Sequence, residues 1–139
     1  MLSVREMESD EVEEIILTEY DRFGYSVFAD LSQTDYRKKV IVAECGEILG
    51  FVILYWNENG IHIGNIFIRE EYRGRGLGKI LLKRAIAESL RLGFRKIYAN
   101  VSVSSEALEF YLKNGFKIEE KIKHYYGIYK HAFKLSKSF

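Results

Sequence analysis

The stretch Arg73-Gly74-Arg75-Gly76-Leu77-Gly78-Lys79 decides how this chain is interpreted. It follows an apolar, β-branched run at residues 61–68 that predicts a strand, and it precedes a run at 80–92 with helical periodicity. Three glycines at a strand-to-helix joint lose backbone entropy on folding, so they need a physical reason. Close approach of a phosphate supplies one, because bare amides and the helix dipole attract anions. Two arginines and a lysine in the same stretch add positive charge around such a site.

Two other glycine-rich phosphate motifs do not fit this loop. A Walker A loop needs Ser or Thr after its Gly-Lys pair, but Ile80 follows Lys79. The dinucleotide fingerprint G-x-G-x-x-G also fails, since Lys79 stands where its third glycine belongs. The pattern R-x-x-G-x-G does fit, with Arg73, Gly76 and Gly78. It resembles the acetyl-CoA pyrophosphate loop of the GNAT superfamily of N-acetyltransferases. The alternative for this stretch is an ordinary helix N-terminus with flexible glycines and a solvated basic face.

A second segment carries the same resemblance. Residues 107–116 are similar to the superfamily's A-x-x-x-Y-x-x-x-G-F segment, with Ala107, Tyr111, Gly115 and Phe116 in place. The predicted elements follow the order β-α-α-β-β-β-α-β-α-β-β, which is also the order of this family over nearly the whole chain. The resemblance therefore implies an α/β (α+β) GNAT fold, in which a mixed central sheet of six to seven strands is combined with about four helices.

Periodicity and turn residues predict the individual elements. A short helix is predicted over residues 32–39, and β-branched runs at 40–45 and 48–56 predict a hairpin that turns at Gly46. The helix after the glycine loop is expected to end at Gly93 as its C′ residue. The residues of that helix expected to face inward are Ile80, Leu81, Ala85, Ile86, Leu90 and Leu92.

Composition limits the class of protein. A length of 139 residues predicts a single domain over 1–139. A formal net charge of +1 gives no basis for a nucleic-acid binder, and no apolar run approaches the roughly 18–20 residues of a membrane span. The one cysteine, Cys45, has no partner for a disulfide or a metal cluster, and a small buried residue is its expected role. We therefore expect a cytoplasmic protein that uses no metal.

The resemblance implies how acetyl-CoA is held. Main-chain amides of the glycine loop would cradle the pyrophosphate, and the pantetheine arm would bond to residues 66–68 like an added strand. Ser104 falls where many relatives carry an asparagine that bonds the pantetheine. The cofactor-binding residues implied in this way are Ile66, Phe67, Ile68, Arg73, Gly74, Arg75, Gly76, Leu77, Gly78, Lys79, Ser104 and Tyr111.

Tyr111 and His62 are the catalytic candidates. In the family, the tyrosine of the second segment donates a proton to the leaving thiolate, and a phenol with a pKa of about 10 can serve a thiol of about 8.5. Ordinary packing is the alternative for Tyr111. His62 precedes Arg73 by eleven residues, the spacing at which histone-acetylating relatives carry a general-base glutamate. Imidazole suits proton removal near pH 7. The alternative is that His62 is an ordinary half-exposed strand histidine without a catalytic role.

The C-terminal region resembles protein N-terminal acetyltransferases, whose Tyr-Tyr pair lines the peptide groove. Tyr125, Tyr126 and Ala132 match that pattern. One position departs from it, because bacterial ribosomal-protein alanine acetyltransferases use a glutamate twelve residues before the tyrosine, where this chain has Ala99. A site with a weak base favours α-amines, since a pKa of about 8 leaves roughly a tenth of them neutral at pH 7, whereas lysine titrates at about 10.4.

The expected function is acetyl-CoA-dependent transfer of an acetyl group to a primary amine, with a protein or peptide α-amine as the preferred acceptor and Tyr125 and Tyr126 as substrate-binding residues. A small-molecule amine or polyamine is the alternative acceptor, and a non-catalytic acyl-CoA sensor is the alternative function. Tyr20, Phe23 and Tyr25 would line the acceptor side or pack in the core. Relatives often pair through the C-terminal strands, so a homodimer is an open alternative.

Overall fold

The central element is a mixed sheet of seven strands, in the order β1-β2-β3-β4-β5-β7-β6. A computed structural model describes residues 1–127 and 130–139. The strands are β1 (Ser3–Glu6), β2 (Arg37–Glu44), β3 (Ile48–Asn57), β4 (Gly60–Ile68), β5 (Lys96–Ser102), β6 (Lys117–Gly127) and β7 (Lys130–Ser138). The helices are α1 (Val12–Phe23), α2 (Val27–Leu31), α3 (Leu77–Arg91) and α4 (Ala107–Lys113). The predicted fold class and element order are confirmed.

The sheet splits in its middle, between β4 and β5. These strands are the parallel pair of the sheet, and they pair only over residues 61–63 opposite residues 97–99. β4 continues to Ile68 and β5 continues to Ser102, so beyond those residues the two described strands are not paired. The unpaired lengths leave main-chain groups of both strands free, and a gap opens at the carboxyl ends of β4 and β5.

Alternate strand residues face two separate cores. One core lies against α3 and α4 and contains Ile61, Ile63 and Leu81. The other lies against α1 and α2 and contains Ile15 and Ile53. Burial of these apolar side chains is the main stabilising contribution to the sheet sandwich. Ile61 and Ile63 face the first core, so His62 between them faces the opposite side of the sheet.

A β-bulge at Gly64 changes which residues of β4 face each core. Ile53 pairs with Asn65 whereas Leu54 pairs with Ile63, so Gly64 is the extra residue. A Cβ at Gly64 would lie only 2.7 Å from Cγ1 of Val27. Glycine at this position therefore lets α2 pack directly on β4, and the bulge turns Asn65 toward α1 and α2.

The predicted helix over residues 32–39 is wrong. The helix lies earlier, as α2, and residues 37–39 already belong to β2. Ser26 determines this start, because its hydroxyl accepts a hydrogen bond from the amide of Ala29 at 3.0 Å and caps the helix. β2 then begins at Arg37 because pairing with β3 extends to Trp56.

Three burial predictions are also wrong. Cys45 is exposed, since it lies in the tight turn before Gly46, whose φ is +74°. Ile80 and Leu90 are 39% and 40% exposed, because α3 is rotated so that Leu81, Leu82 and Ala85 form its buried stripe. Gly93 does follow α3 with φ of +94°, as predicted.

Within the described residues, none of the helices combines the length and apolar character that a bilayer crossing requires.

Candidate active site

The glycine loop leads from β4 to α3. One turn of 3-10 helix at Glu70–Tyr72 follows β4, and Gly76 is the N-cap of α3 with no side-chain cap hydrogen bond. Gly74 and Gly76 have φ of +74° and +82°, a region that glycine occupies with little strain. The first amides of α3 therefore lack a capping side chain and point toward a position that an anion can occupy.

A cleft of about 630 Å³ lies beside this loop. Its walls are the end of β4, the glycine loop, the first turn of α3, the start of α4 and the end of α1. The predicted cofactor-binding residues that line it are Ile66, Phe67, Ile68, Arg73, Gly74, Gly76, Leu77, Gly78 and Lys79. The structure thus brings the strand end and the glycine loop into one cleft, the arrangement expected for a long ligand with a phosphate group.

Three predicted cofactor-binding residues are not on the wall of this cleft. The guanidinium of Arg75 lies 5.4 Å from the ring centroid of Tyr72, an arrangement with cation–π character. Ser104 is exposed, and its amide donates to Oγ of Ser102 at 3.3 Å. Its neighbour Ser105 lines the cleft instead. Tyr111, the third, is buried in the core beneath α4.

Phe110 was missed by the sequence-based prediction of this site. Its ring lines the cleft, and a Cβ at Gly78 would lie 3.0 Å from a carbon of that ring. Gly78 therefore lets the first turn of α3 approach α4, which holds the cleft in shape. The signal was present in the sequence, because Phe110 belongs to the second family segment and Gly78 belongs to the first.

Tyr111 is 3% exposed and packs between two aromatic rings. The ring centroid of Phe116 lies 5.0 Å away and that of Phe110 lies 5.5 Å away, both in edge-to-face geometry. Burial raises the pKa of Tyr111 above its ordinary value, and the charge of Tyr126 adds to this effect. The hydroxyl makes no hydrogen bond to another residue in the described part of the chain. Tyr111 therefore holds its proton at neutral pH.

His62 lies on the other face of the sheet from Tyr111. Its imidazole stacks between the rings of Tyr55 and Tyr98, at centroid distances of 4.9 Å and 5.4 Å. Burial lowers the pKa of His62, and the positive charge of Lys134 lowers it further. The structure does not place His62 on the wall of the cleft, and it does not bring His62 and Tyr111 together.

A group of four tyrosines, which we call the tyrosine cluster, lies at the gap between β4 and β5. Its members are Tyr25, Tyr55, Tyr125 and Tyr126. The rings of Tyr125 and Tyr126 are 4.9 Å apart, and the hydroxyl of Tyr126 donates to the main-chain oxygen of Asn100 at 3.4 Å. Burial raises the pKa of Tyr126 to about 12, with the charges of the other three members adding to it. Through its hydrogen bond to Asn100, Tyr126 connects the cluster to β5 one residue beyond the last pair of β4 and β5.

Glu19 holds the α1–α2 connection against β4. Its carboxylate is fully buried and accepts hydrogen bonds from the hydroxyl of Ser26 at 2.7 Å, from the amide of Val27 at 3.0 Å and from the amide of Phe28 at 3.0 Å. Nδ2 of Asn65 on β4 donates to it at 2.6 Å. Every partner is a donor, which suits an acceptor-only carboxylate. This network sets the position of α2 and of Tyr25 beside the gap.

Comparisons with known proteins relate this geometry to a family. A model of the Acetyltransferase (GNAT) family matches residues 2–116. An N-alpha-acetyltransferase of Sulfurisphaera tokodaii is 29% identical in an alignment over 108 residues, with 67% of this chain and 65% of that protein covered. This chain therefore spans slightly less than two thirds of the length of that relative.

Solved structures show the same fold. The crystal structure of the ribosomal-protein-S18-alanine N-acetyltransferase from Escherichia coli has a TM-score of 0.83 at 20% identity, with 99% of this chain and 94% of that chain covered. A GNAT family acetyltransferase from Elizabethkingia anophelis, solved with acetyl-CoA bound, has a TM-score of 0.81 at 21% identity, with 99% and 98% covered. Because the family model covers most of the 139 residues, the chain belongs to the acetyltransferase (GNAT) family.

Proposed function

We propose that this chain transfers the acetyl group of acetyl-CoA to a primary amine, and that the acceptor is the α-amine of a protein or peptide. The observation that carries this proposal is the cleft of about 630 Å³, which joins the uncapped N-terminus of α3 to the unpaired end of β4. Amides of residues 74–79 would hold the pyrophosphate, and residues 66–68 would bond the pantetheine arm through main-chain groups.

Two comparisons support this proposal. The relative in Sulfurisphaera tokodaii is named an N-alpha-acetyltransferase, and the fold neighbour from Elizabethkingia anophelis holds acetyl-CoA. The tyrosine cluster supports a peptide acceptor, since aromatic walls with hydroxyl groups suit the mixed apolar and polar surface of a peptide backbone.

The transfer needs few groups from the protein. Acetyl-CoA supplies the thioester carbon, the neutral amine nitrogen forms the new C–N bond, the C–S bond breaks, the amine loses one proton and the sulfur gains one. Tyr111 is buried and is not on the cleft wall, so we propose that its hydroxyl, which the raised pKa keeps protonated, gives its proton to the departing sulfur only after the thioester has entered the gap between β4 and β5. His62 lies off the cleft, so we propose that it takes the amine proton through water rather than by direct contact.

The weak base favours an α-amine. Deprotonating a lysine side chain before attack costs about 3 kcal/mol more than deprotonating an α-amine, because their ordinary pKa values differ by more than two units. A base whose pKa is lowered by burial, as that of His62 is, does little to offset this difference.

An acceptor screen read by mass spectrometry tests the proposal. The protein is incubated with acetyl-CoA and decapeptides that begin with alanine, serine or methionine, with the same peptides blocked at the N-terminus, and with spermidine, while release of the free thiol is followed. Acetylation of the unblocked peptides at the α-amine is expected, with no product from the blocked ones. Product from spermidine alone would support a small-molecule amine acceptor, and tight coenzyme A binding without thiol release for any acceptor would support a sensor.

A further inference from the structure

The carboxamide of Asn100 carries a buried oxygen that has no partner. Its Oδ1 is enclosed and accepts no hydrogen bond, the one such side-chain atom found in the described part of the chain. Nδ2 of the same group donates to the hydroxyl of Tyr125 at 3.4 Å. Turning the carboxamide over would exchange an unpaired oxygen for an unpaired nitrogen, so the deficit would remain. Native proteins pair nearly all buried polar atoms, and an exception calls for an explanation.

The position of Asn100 suggests what would pair with it. Asn100 follows Ala99, the last residue of β5 that pairs with β4, so it lies where the gap between the two strands begins. Its side chain contacts Tyr125, and its main-chain oxygen accepts from the hydroxyl of Tyr126. Asn100 therefore joins the tyrosine cluster to the start of the gap, the two parts of the site that would hold the acceptor and the thioester.

We propose that Asn100 is a positioning residue for the acceptor: binding of the peptide turns its carboxamide, so that the enclosed Oδ1 becomes exposed and accepts a hydrogen bond from an N–H of the incoming α-amine. This inference rests on the proposed function. A neutral primary amine has two N–H groups and one lone pair, so a hydrogen bond to Asn100 leaves the lone pair free for attack and restricts its direction. A neutral carboxamide takes no proton, so Asn100 orients the amine and does not act as the base.

Charge near Asn100 agrees with a neutral amine as the ligand. Lys134 is paired with Asn100 across β5 and β7, and its Nζ lies 4.9 Å from the ring centroid of Tyr98. A positive side chain on the same face repels an ammonium ion but not a neutral amine. Two acidic residues of β6 lie near Lys134. Glu120 is its direct cross-strand partner, and Glu119, whose own partners are Lys96 and Ser136, has its pKa lowered in part by the charge of Lys134.

The test compares the wild type with Asn100→Leu and Asn100→Asp. Kinetics are measured with acetyl-CoA and the alanine, serine and methionine decapeptides, and thermal unfolding is measured for each protein. Asn100→Leu should lower kcat/KM for the peptides by about tenfold or more, the size of one well-placed hydrogen bond, with KM for acetyl-CoA unchanged. Its unfolding midpoint should equal or exceed that of the wild type, because the unpaired oxygen is gone. Asn100→Asp keeps an acceptor oxygen and should regain most of the lost rate.

The outcomes separate this inference from the proposed function. Equal kcat/KM for the wild type and Asn100→Leu would overturn the role of Asn100 and leave the proposed function intact. A lower unfolding midpoint together with a higher KM for acetyl-CoA would also overturn it, since that pattern reports a structural role. Absence of peptide acetylation by the wild type would overturn the proposed function and this inference together.

Discussion

The imidazole of His62 lies nearly parallel to the ring of Tyr55, with centroids 4.9 Å apart and an interplanar angle of 12°. The two residues are direct partners across β3 and β4, and Tyr98 covers the opposite side of the imidazole. This packing removes water from the ring, which lowers the pKa of His62, and Lys134 lowers it further. The neutral form of His62 therefore predominates at pH 7.

The lowered pKa makes the contribution of His62 to stability depend on pH. The unfolded chain has the ordinary histidine pKa of about 6.5, so below that pH it binds more protons at this position than the folded chain does. Stability from the neutral stacked ring is fully present above about pH 6.5 and is lost as pH falls toward the folded pKa. The unfolding midpoint of the wild type should therefore fall toward that of His62→Gln between pH 7.5 and pH 5, measured at constant ionic strength. A constant difference across this range would contradict the prediction.

A second prediction concerns the proposed role of His62 in proton removal. Amines are mostly protonated below pH 8, so a base matters most there. His62→Ala should therefore lose peptide acetylation rate mainly below pH 8 and approach the wild-type rate above it, in a kcat/KM profile from pH 6 to pH 9. A uniform loss across the profile would indicate that His62 acts only by packing against the two tyrosines.

The glycine loop allows a matched test of ligand binding. Gly76 and Gly93 are the residues at the two ends of α3, with φ of +82° and +94°, and a Cβ at either would meet no atom of the described residues within 4 Å. Replacing either glycine with alanine should therefore destabilise the folded protein to a similar extent, about 1 kcal/mol, because alanine is strained in the left-handed conformation. Only Gly76 lines the cleft, so only Gly76→Ala should weaken coenzyme A binding, by about tenfold or more in a titration, because a methyl group shields the amides. Equal affinities of the two variants would remove the loop from the binding site.

These features also show what could be predicted from the sequence. The left-handed glycines and the bare helix start follow from residue chemistry, and apolar periodicity together with turn residues predicted the element order. Strand alternation is also enough to place Ile61 and Ile63 on one face of the sheet. Such predictions depend on local backbone preferences, which a single sequence carries.

Features that depend on contacts between distant segments could not be predicted in this way. The bulge at Gly64 shifts the facing of all later residues of β4, and it coincides with the close approach of Val27 from another element. The unpaired oxygen of Asn100 belongs to the residue of β5 that follows its last pair with β4. The start of α2 depends on the capping hydroxyl of Ser26, which also donates to Glu19.

The buried carboxylate of Glu19 predicts a large effect of a small change. Glu19→Gln replaces one oxygen by an amide that donates, so at least one of the four donors that Glu19 now accepts from would lose its partner. We expect the free energy of unfolding to fall by about 2–4 kcal/mol, measured by urea denaturation. Glu13→Gln, an exposed position on the same helix, should change it by less than about 0.5 kcal/mol. A small loss of unfolding free energy for Glu19→Gln would contradict the prediction, and it would mean that water or a rearranged side chain pairs with these donors.

Removing the hydroxyl of Tyr111 should separate chemistry from folding. The hydroxyl has no hydrogen-bond partner in the described part of the chain, and its ring contacts with Phe110 and Phe116 remain in Tyr111→Phe. The unfolding midpoint and coenzyme A affinity should therefore stay near the wild-type values. Turnover should fall by about a hundredfold, the lower range for loss of a proton-donating group. Tyr72→Phe removes a hydroxyl from the cleft wall and serves as the matched control with turnover near that of the wild type. Unchanged turnover in Tyr111→Phe would leave Tyr111 as a packing residue, and the sulfur would then take its proton from water.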